Sequence, residues 1–130
     1  MGMWPGDEHY QRRYDYAAEY VQILKALWRD GRASWEGEYF QLNDCSVLPI
    51  PRREIPLVCA GQSPSGRNFV ANHADHQFVL ASEATLIDSV RDIREQAEQC
   101  ERSVGIYALF HLIIADSDRQ AKSEVEAIID

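Results

Sequence analysis

An apolar run that turns directly into a capped helix, at residues 55–66, restricts the possible folds more than any other part of the sequence. The run is short and is bounded by Pro56 and Gly61, which predicts a buried strand followed by a sharp turn. Ser63 is a suitable N-cap, and Pro64 suits the first helical position. The amide groups at such a helix start can bind an anion, although an ordinary connection between a strand and a helix fits the same pattern.

A strong helix is predicted before this run. Its apolar residues recur at steps of three and four, as one face of an α-helix requires: Tyr10, Tyr14, Ala17, Val21, Leu24 and Trp28. Gly31 is expected to end the helix, because glycine is favoured just past a helix C-terminus. Polar and apolar residues then alternate around Gly37 within residues 33–43, which predicts a small hairpin before the buried strand that Pro56 and Gly61 bound.

Two arginines, Arg12 and Arg13, lie in the first part of this helix, where cations oppose the helix dipole. Their presence there therefore needs another explanation. Salt bridges to Glu8 or Asp15 would supply one explanation, and a bound phosphate would supply the other.

Two further strand-and-helix units follow the central one. Residues 77–81 and the almost wholly apolar residues 106–115 are predicted strands, the second suited to burial on both faces of a parallel sheet. Ser82 is expected to cap the helix between them. The apolar face of that helix is formed by Leu86, Val90, Ile93, Ala97 and Cys100. A last helix is expected from about Arg119, capped by residues 116–118.

The element order helix, strand, helix, strand, helix, strand, helix predicts an α/β fold with a parallel sheet. Residues 1–130 form a single domain in this interpretation, but it opens on a helix without a preceding strand and ends within another helix. A three-stranded sheet would also leave both edges exposed. We therefore expect a part of a larger α/β protein, since a closed eight-unit barrel needs roughly 250 residues.

Composition narrows the class of protein. The net charge of −8 argues against a nucleic-acid-binding or anionic membrane surface. The three cysteines are widely spaced and form no paired motif, which favours reduced thiols in a cytoplasmic protein. No apolar run has the length of a membrane span, and the start does not have the layout of a signal peptide.

The histidines and the remaining acidic residues do not predict a catalytic or metal site. His73, Asp75 and His76 lie in a helix-to-strand connection at spacings that match no standard metal-ligand motif, so structural roles are expected for them. His111 lies within the predicted third strand, as a core histidine or a residue facing a barrel interior. No Ser-His-Asp order, dinucleotide fingerprint or P-loop is present.

Three blocks of sequence together resemble the bacterial luciferase-like, flavin-dependent monooxygenases. They are residues 12–16 with Glu19, residues 37–40 with the proline-rich run after them, and residues 56–66 continuing to Asp75. Within that family the sequence is most similar to the members that oxygenate pyrimidines, on residues 3–7, 43–45, 59–63 and 114–116.

The resemblance implies a partial (β/α)8 TIM barrel of the luciferase-like type, from the helix after strand four to the helix after strand seven. It also implies an FMN site at the carboxyl ends of the strands. Arg13 and Tyr14, with Ser63 after strand five, would surround the FMN phosphate. Gln62, Ser65 and Gly66 lie beside them as further candidates, and no catalytic residue is assigned.

The function implied by the resemblance is oxygenation of a small heterocycle of the uracil type by reduced FMN and O2. A separate NAD(P)H flavin reductase would supply the reduced FMN, and a homo-oligomer is expected. An alkanesulfonate or another small substrate is the alternative within the family. A chain of 130 residues is expected to be inactive alone. The alternative outside the enzyme class is a non-catalytic segment that binds only the flavin phosphate.

Overall fold

The computed structural model describes residues 7–80, 82–110 and 112–129. The elements follow the predicted order, with a short helix and a hairpin before the three βα units. Their bounds are α1 Asp7–Gln11, α2 Arg13–Asp30, β1 Arg32–Glu36, β2 Gln41–Ser46, β3 Val58–Cys59, α3 Pro64–His73, β4 His76–Val79, α4 Glu83–Gln99, β5 Gly105–Ala108 and α5 Asp118–Ile129. None of the described helices combines the length and the apolar character that crossing a membrane requires.

The central sheet is parallel, with strand order β3-β4-β5, as the repeated βα pattern predicts. Gln77 in the middle strand is the register partner of Cys59 on one side and of Ile106 on the other. The consecutive strands are therefore neighbours in space, and their carboxyl ends meet at one edge of the sheet.

The apolar core lies between this sheet and the helices α3 and α4. It is formed by Val70, Ala71, Ala74, Ile93, Ala97 and Val104, with Leu57, Cys59 and Ile106 packed against it. The predicted serine caps of both helices are present, since Ser63 Oγ accepts from the Gly66 N–H at 3.1 Å and Ser82 Oγ accepts from the Thr85 N–H at 3.4 Å. These local signals fix where each helix begins.

The opening helix differs from its prediction in two respects. It is interrupted at Arg12, which separates α1 from α2, although Gly31 ends α2 in the left-handed conformation as predicted. The predicted apolar face is correct for Val21, which is buried, but Tyr10 is 67% exposed, and Ile23 and Leu27, which lie outside that face, are buried as well. The reason is that α2 packs against two neighbours, the β1–β2 hairpin and α3, rather than against one.

The hairpin is confirmed, and a carboxylate from α2 fixes its turn. Glu19 Oε1 accepts hydrogen bonds from Trp35 Nε1 at 3.0 Å and the Phe40 N–H at 2.8 Å, while Oε2 accepts from the Glu38 N–H at 3.1 Å. A Cβ at Gly37 would overlap the Glu19 carboxylate. Desolvation acts to raise the pKa of Glu19, but these backbone and indole hydrogen bonds outweigh it and leave the pKa lowered.

The prediction of a long third strand at 106–115 is wrong. β5 ends at Ala108, and Phe110, Leu112 and Ile114 lie outside any strand and are largely exposed. β5 pairs only with β4 among the described residues, so no second neighbour is there to extend the hydrogen-bond ladder or to cover the apolar side chains. The other two strands are also shorter than predicted, and Ala81 and His111 fall outside the described residues.

The helix-to-strand connection after α3 has the structural role that the sequence predicts. Asp75 Oδ2 accepts from the Leu57 N–H at 2.7 Å, which ties the start of β3 to the start of β4. Arg102 donates to the carbonyls of Ala71 and Ala74, at 2.9 Å each, and its Nη2 lies 3.6 Å from Asp75 Oδ1. This cluster closes the end of the sheet opposite to the capped start of α3.

Candidate functional site

A cleft of about 540 Å³ lies where the first turn of α2 meets the carboxyl end of β3. It is lined by Arg13, Tyr14, Ala17, Tyr20, Val21, Cys59, Ala60, Gly61 and Phe69. Other clefts of 480 to 490 Å³ lie on the hairpin, along α4 and beside Trp28, so volume alone does not identify a site. The chemistry of the lining identifies this cleft as the candidate site. It combines the cation Arg13 with the end of β3 and with the turn that leads into the capped helix α3.

The side chain of Tyr14 holds the start of α2 against the start of α3. Its ring lies 5.6 Å from that of Phe69, between centroids. Its hydroxyl lies so close to Gly66 that a Cβ there would stand 2.6 Å from the oxygen. A donor from one helix therefore reaches the first turn of the other.

The turn between β3 and α3 folds back onto the helix it leads into. A Cβ at Gly66 would lie 2.9 Å from Gly61 Cα, which is closer than real contacts allow. The backbones of these two glycines are therefore in direct contact, and Gln62 and Ser63 form a tight connection between them. Such a connection presents its amide groups in a small, defined space.

The capping geometry leaves donors free at this turn. Ser63 Oγ is the acceptor in its bond from the Gly66 N–H, so its hydroxyl hydrogen remains available to a ligand. Within the described part of the chain, no acceptor pairs with the backbone N–H of Gln62, Ser63 or Ser65. Together with the positive end of the α3 dipole, these donors form an arrangement that suits an anion.

The two neighbouring arginines have different partners. Arg12 forms a bidentate pair with Glu38, at 2.6 and 2.8 Å, and this hydrogen bonding raises the pKa of Arg12 and lowers that of Glu38. Arg13 donates instead to the Tyr10 carbonyl at 2.5 Å and lies over the rings of Tyr10 and Tyr14, at 4.1 and 4.7 Å from their centroids. Among the described residues, no carboxylate lies within 4.0 Å of Arg13.

The structure thus brings together most of the residues that the sequence singled out. Arg13 and Tyr14 line one cleft with Gly61, and Tyr14 also touches Gly66. Ser63 lies in the connecting turn rather than in the cleft lining, and the side chains of Gln62 and Ser65 are exposed.

Three residues at this site were not predicted from the sequence as site residues. Phe69 and Cys59 line the cleft, and burial raises the pKa of the Cys59 thiol, which keeps it protonated at neutral pH. Gln77 donates from the middle strand to the Gly61 carbonyl at 2.8 Å. A helical spacing of three residues from Gly66 could have indicated Phe69, but no local signal indicates the long-range bond of Gln77.

Comparison with known proteins places the whole chain in one family. Residues 1–130 match the model of the luciferase-like monooxygenases. The chain is 42% identical, over its full length, to pyrimidine monooxygenase RutA of Acinetobacter baylyi, and 41% identical to RutA of a Bradyrhizobium species. It covers 36% and 37% of those two proteins, so it spans little more than a third of the relatives it matches.

Solved structures show the same fold. Long-chain alkane monooxygenase LadA superimposes with a TM-score of 0.80 at 25% identity, over 97% of this chain and 35% of LadA. Riboflavin lyase RcaE, solved with modified FMN and its substrate riboflavin, superimposes with a TM-score of 0.78 at 25% identity, over 89% of this chain and 32% of RcaE. The fold is therefore part of a luciferase-like TIM barrel, as the sequence predicts.

Proposed function

The chain belongs to the luciferase-like monooxygenase family, and we propose that the turn between β3 and α3 binds the phosphate of FMN. The observation that carries this proposal is the convergence of Arg13, Tyr14 and the capped start of α3 at the carboxyl end of β3. Ligands of open α/β sheets and of TIM barrels bind at that end of the strands.

The donors present there fit a phosphate dianion. Arg13 supplies a permanent positive charge and guanidinium donors, and it has no carboxylate partner among the residues that the structure describes. The Ser63 hydroxyl and the amides of Gln62, Ser63 and Ser65 supply neutral donors.

In this proposal the residues of this chain bind FMN and orient it. Arg13, Tyr14 and Ser63 hold the phosphate, and the apolar side chains of Val21 and Phe69 line other parts of the cleft. Bound FMN supplies the flavin chemistry with O2. No catalytic residue is assigned among the described residues.

For the enzyme as a whole, we propose oxygenation of a pyrimidine by reduced FMN and O2. The support is the identity of 41–42% to pyrimidine monooxygenases, against 25% to the alkane monooxygenase. A separate flavin reductase, a cytoplasmic location and a homo-oligomer complete the proposal. The free thiols of Cys45, Cys59 and Cys100 are consistent with a reducing compartment.

The test compares flavin affinities of two arginine variants, measured by quenching of flavin fluorescence. Arg13→Ala removes charge-assisted hydrogen bonds to the phosphate, so we expect its Kd for FMN to rise about 10- to 100-fold. Arg12→Ala removes the same charge from the adjacent position, where the guanidinium is already paired with Glu38, and should change the Kd less than about threefold. Equal effects of the two substitutions, or no effect of Arg13→Ala, would refute the assignment of the phosphate site.

A further inference from the structure

We propose that Gln77 is a positioning residue that holds the β3–α3 turn in its phosphate-binding conformation. This inference rests on the proposed function, and it concerns a side chain in the middle strand of the sheet rather than in the turn itself. It follows from three observations on Gln77: its burial, its single partner and its unsatisfied oxygen.

Gln77 is a polar side chain in an apolar layer. It is 1% exposed, and its neighbours on the same face of the sheet are Cys59 and Ile106, which pack onto the core. Glutamine is rarely buried to this extent unless its polar atoms have partners. Within the described residues, however, Gln77 Oε1 is buried and accepts no hydrogen bond.

Among the described residues the side chain therefore has one polar interaction, the bond from Nε2 to the Gly61 carbonyl at 2.8 Å. The ladder between β3 and β4 ends at the pair of Cys59 and Gln77, so this bond fixes the chain two residues beyond the last strand pairing. An apolar side chain of similar length would fill the same space without leaving a buried oxygen unsatisfied. Glutamine at this position therefore provides a polar bond to the turn and leaves one buried oxygen unsatisfied, whereas an apolar residue would do neither.

The bond determines how the turn presents its donors. In a trans peptide the carbonyl of one residue and the N–H of the next point in opposite directions. With the Gly61 carbonyl directed at Gln77, the N–H of Gln62 points away from the sheet, and this N–H has no acceptor among the described residues. Gln77 thereby fixes the first of the amides that the proposed site offers to a phosphate.

The experiment measures three quantities on the variants Gln77→Met and Gln77→Leu: the free energy of unfolding, the Kd for FMN and the Kd for riboflavin. Riboflavin lacks the phosphate and serves as the internal reference. We expect both variants to be at least as stable as the wild type, because Gly61 lines an open cleft where water can replace the lost donor. We expect the Kd for FMN to rise about 5- to 10-fold and that for riboflavin to change less than about twofold.

Val79→Ala is the control, since Val79 is a fully buried residue of the same strand and is not bonded to the turn. It should lower stability and leave the ratio of the two Kd values unchanged. The inference is overturned if the glutamine variants fail to fold, if FMN and riboflavin weaken together, or if the FMN affinity does not change. If the wild type itself binds FMN no more tightly than riboflavin, the proposed phosphate site fails and the role of Gln77 fails with it.

Discussion

Replacing Gly66 by alanine tests whether the contact between the β3–α3 turn and the first turn of α3 is as close as the structure shows. The new Cβ would lie 2.6 Å from Tyr14 Oη, 2.9 Å from Gly61 Cα and 3.0 Å from the Gly61 carbonyl carbon. The hydroxyl can move aside, but the backbone of Gly61 can do so only if the turn opens.

The two opposing contributions to stability can be estimated. Overpacking a close contact costs about 1–3 kcal/mol, and alanine in place of glycine returns about 0.5–1 kcal/mol within a helix. Taking the middle of each range, we expect Gly66→Ala to lower the free energy of unfolding by about 1 kcal/mol in urea denaturation. Asn68→Ala, an exposed substitution in the same helix, should change it by less than about 0.5 kcal/mol.

A double variant separates the two contacts. Tyr14→Phe removes the nearest atom but leaves both backbone contacts of Gly61, so adding it to Gly66→Ala should recover only part of the lost stability. Stability of Gly66→Ala equal to or above that of the wild type would refute the close packing of the turn. Full recovery in the double variant would show that the clash is with Tyr14 alone.

Three further predictions concern the parts of the fold that support the cleft. Ile93→Ala should lower the free energy of unfolding by about 2–5 kcal/mol in urea denaturation, because Ile93 is fully buried in the core between the sheet and the helices α3 and α4. Arg102→Met should cost about 1–3 kcal/mol by the same assay, since the carbonyls of Ala71 and Ala74 both lose a charged donor. Glu19→Gln should be less stable than the wild type at pH 7, with the difference shrinking as the pH falls through and below 4.5. Because the pKa of Glu19 is lowered in the folded protein, its carboxylate stabilises the fold at pH values above the unfolded-state pKa, and this effect is lost once the carboxylate is protonated. A difference in the free energy of unfolding that stays constant between pH 7 and pH 3 would contradict the role of Glu19 in fixing the hairpin turn.

The order of the elements and the caps of the helices could be predicted because their causes are local. Ser63, Ser82 and Gly31 each act within four residues of their own position, and the structure shows all three in the predicted roles. The parallel sheet followed from the repeated alternation of apolar runs and amphipathic helices.

Features that depend on distant neighbours could not be predicted. The partner of Arg12 is Glu38, 26 residues away, whereas the sequence suggested Glu8 or Asp15, of which only Asp15 comes near, at 3.7 Å. The third strand stops at Ala108, where its described neighbour β4 also ends at Val79, and an apolar sequence does not specify how far a partner strand extends.

The proposed site likewise has some features that could be predicted from local sequence and others that could not. The anion-binding geometry of the turn was visible in the sequence around Ser63, while the choice of Arg13 and Tyr14 came from the resemblance to a family. The structure brings these two residues to the carboxyl end of β3, and their contact with FMN stays a prediction. The burial of Gln77 and its bond to the turn were not predicted, because a glutamine within a strand gives no indication of burial.

The most direct test of the central claim is a titration of the ¹⁵N-labelled chain with FMN, followed by two-dimensional NMR of the backbone amides. The phosphate site proposed here predicts that the largest chemical-shift changes occur at Gln62, Ser63 and Ser65, and that riboflavin does not reproduce them. Changes centred on the cleft beside Trp28, which is also lined by Arg52 and Arg53, or identical changes with riboflavin, would contradict it.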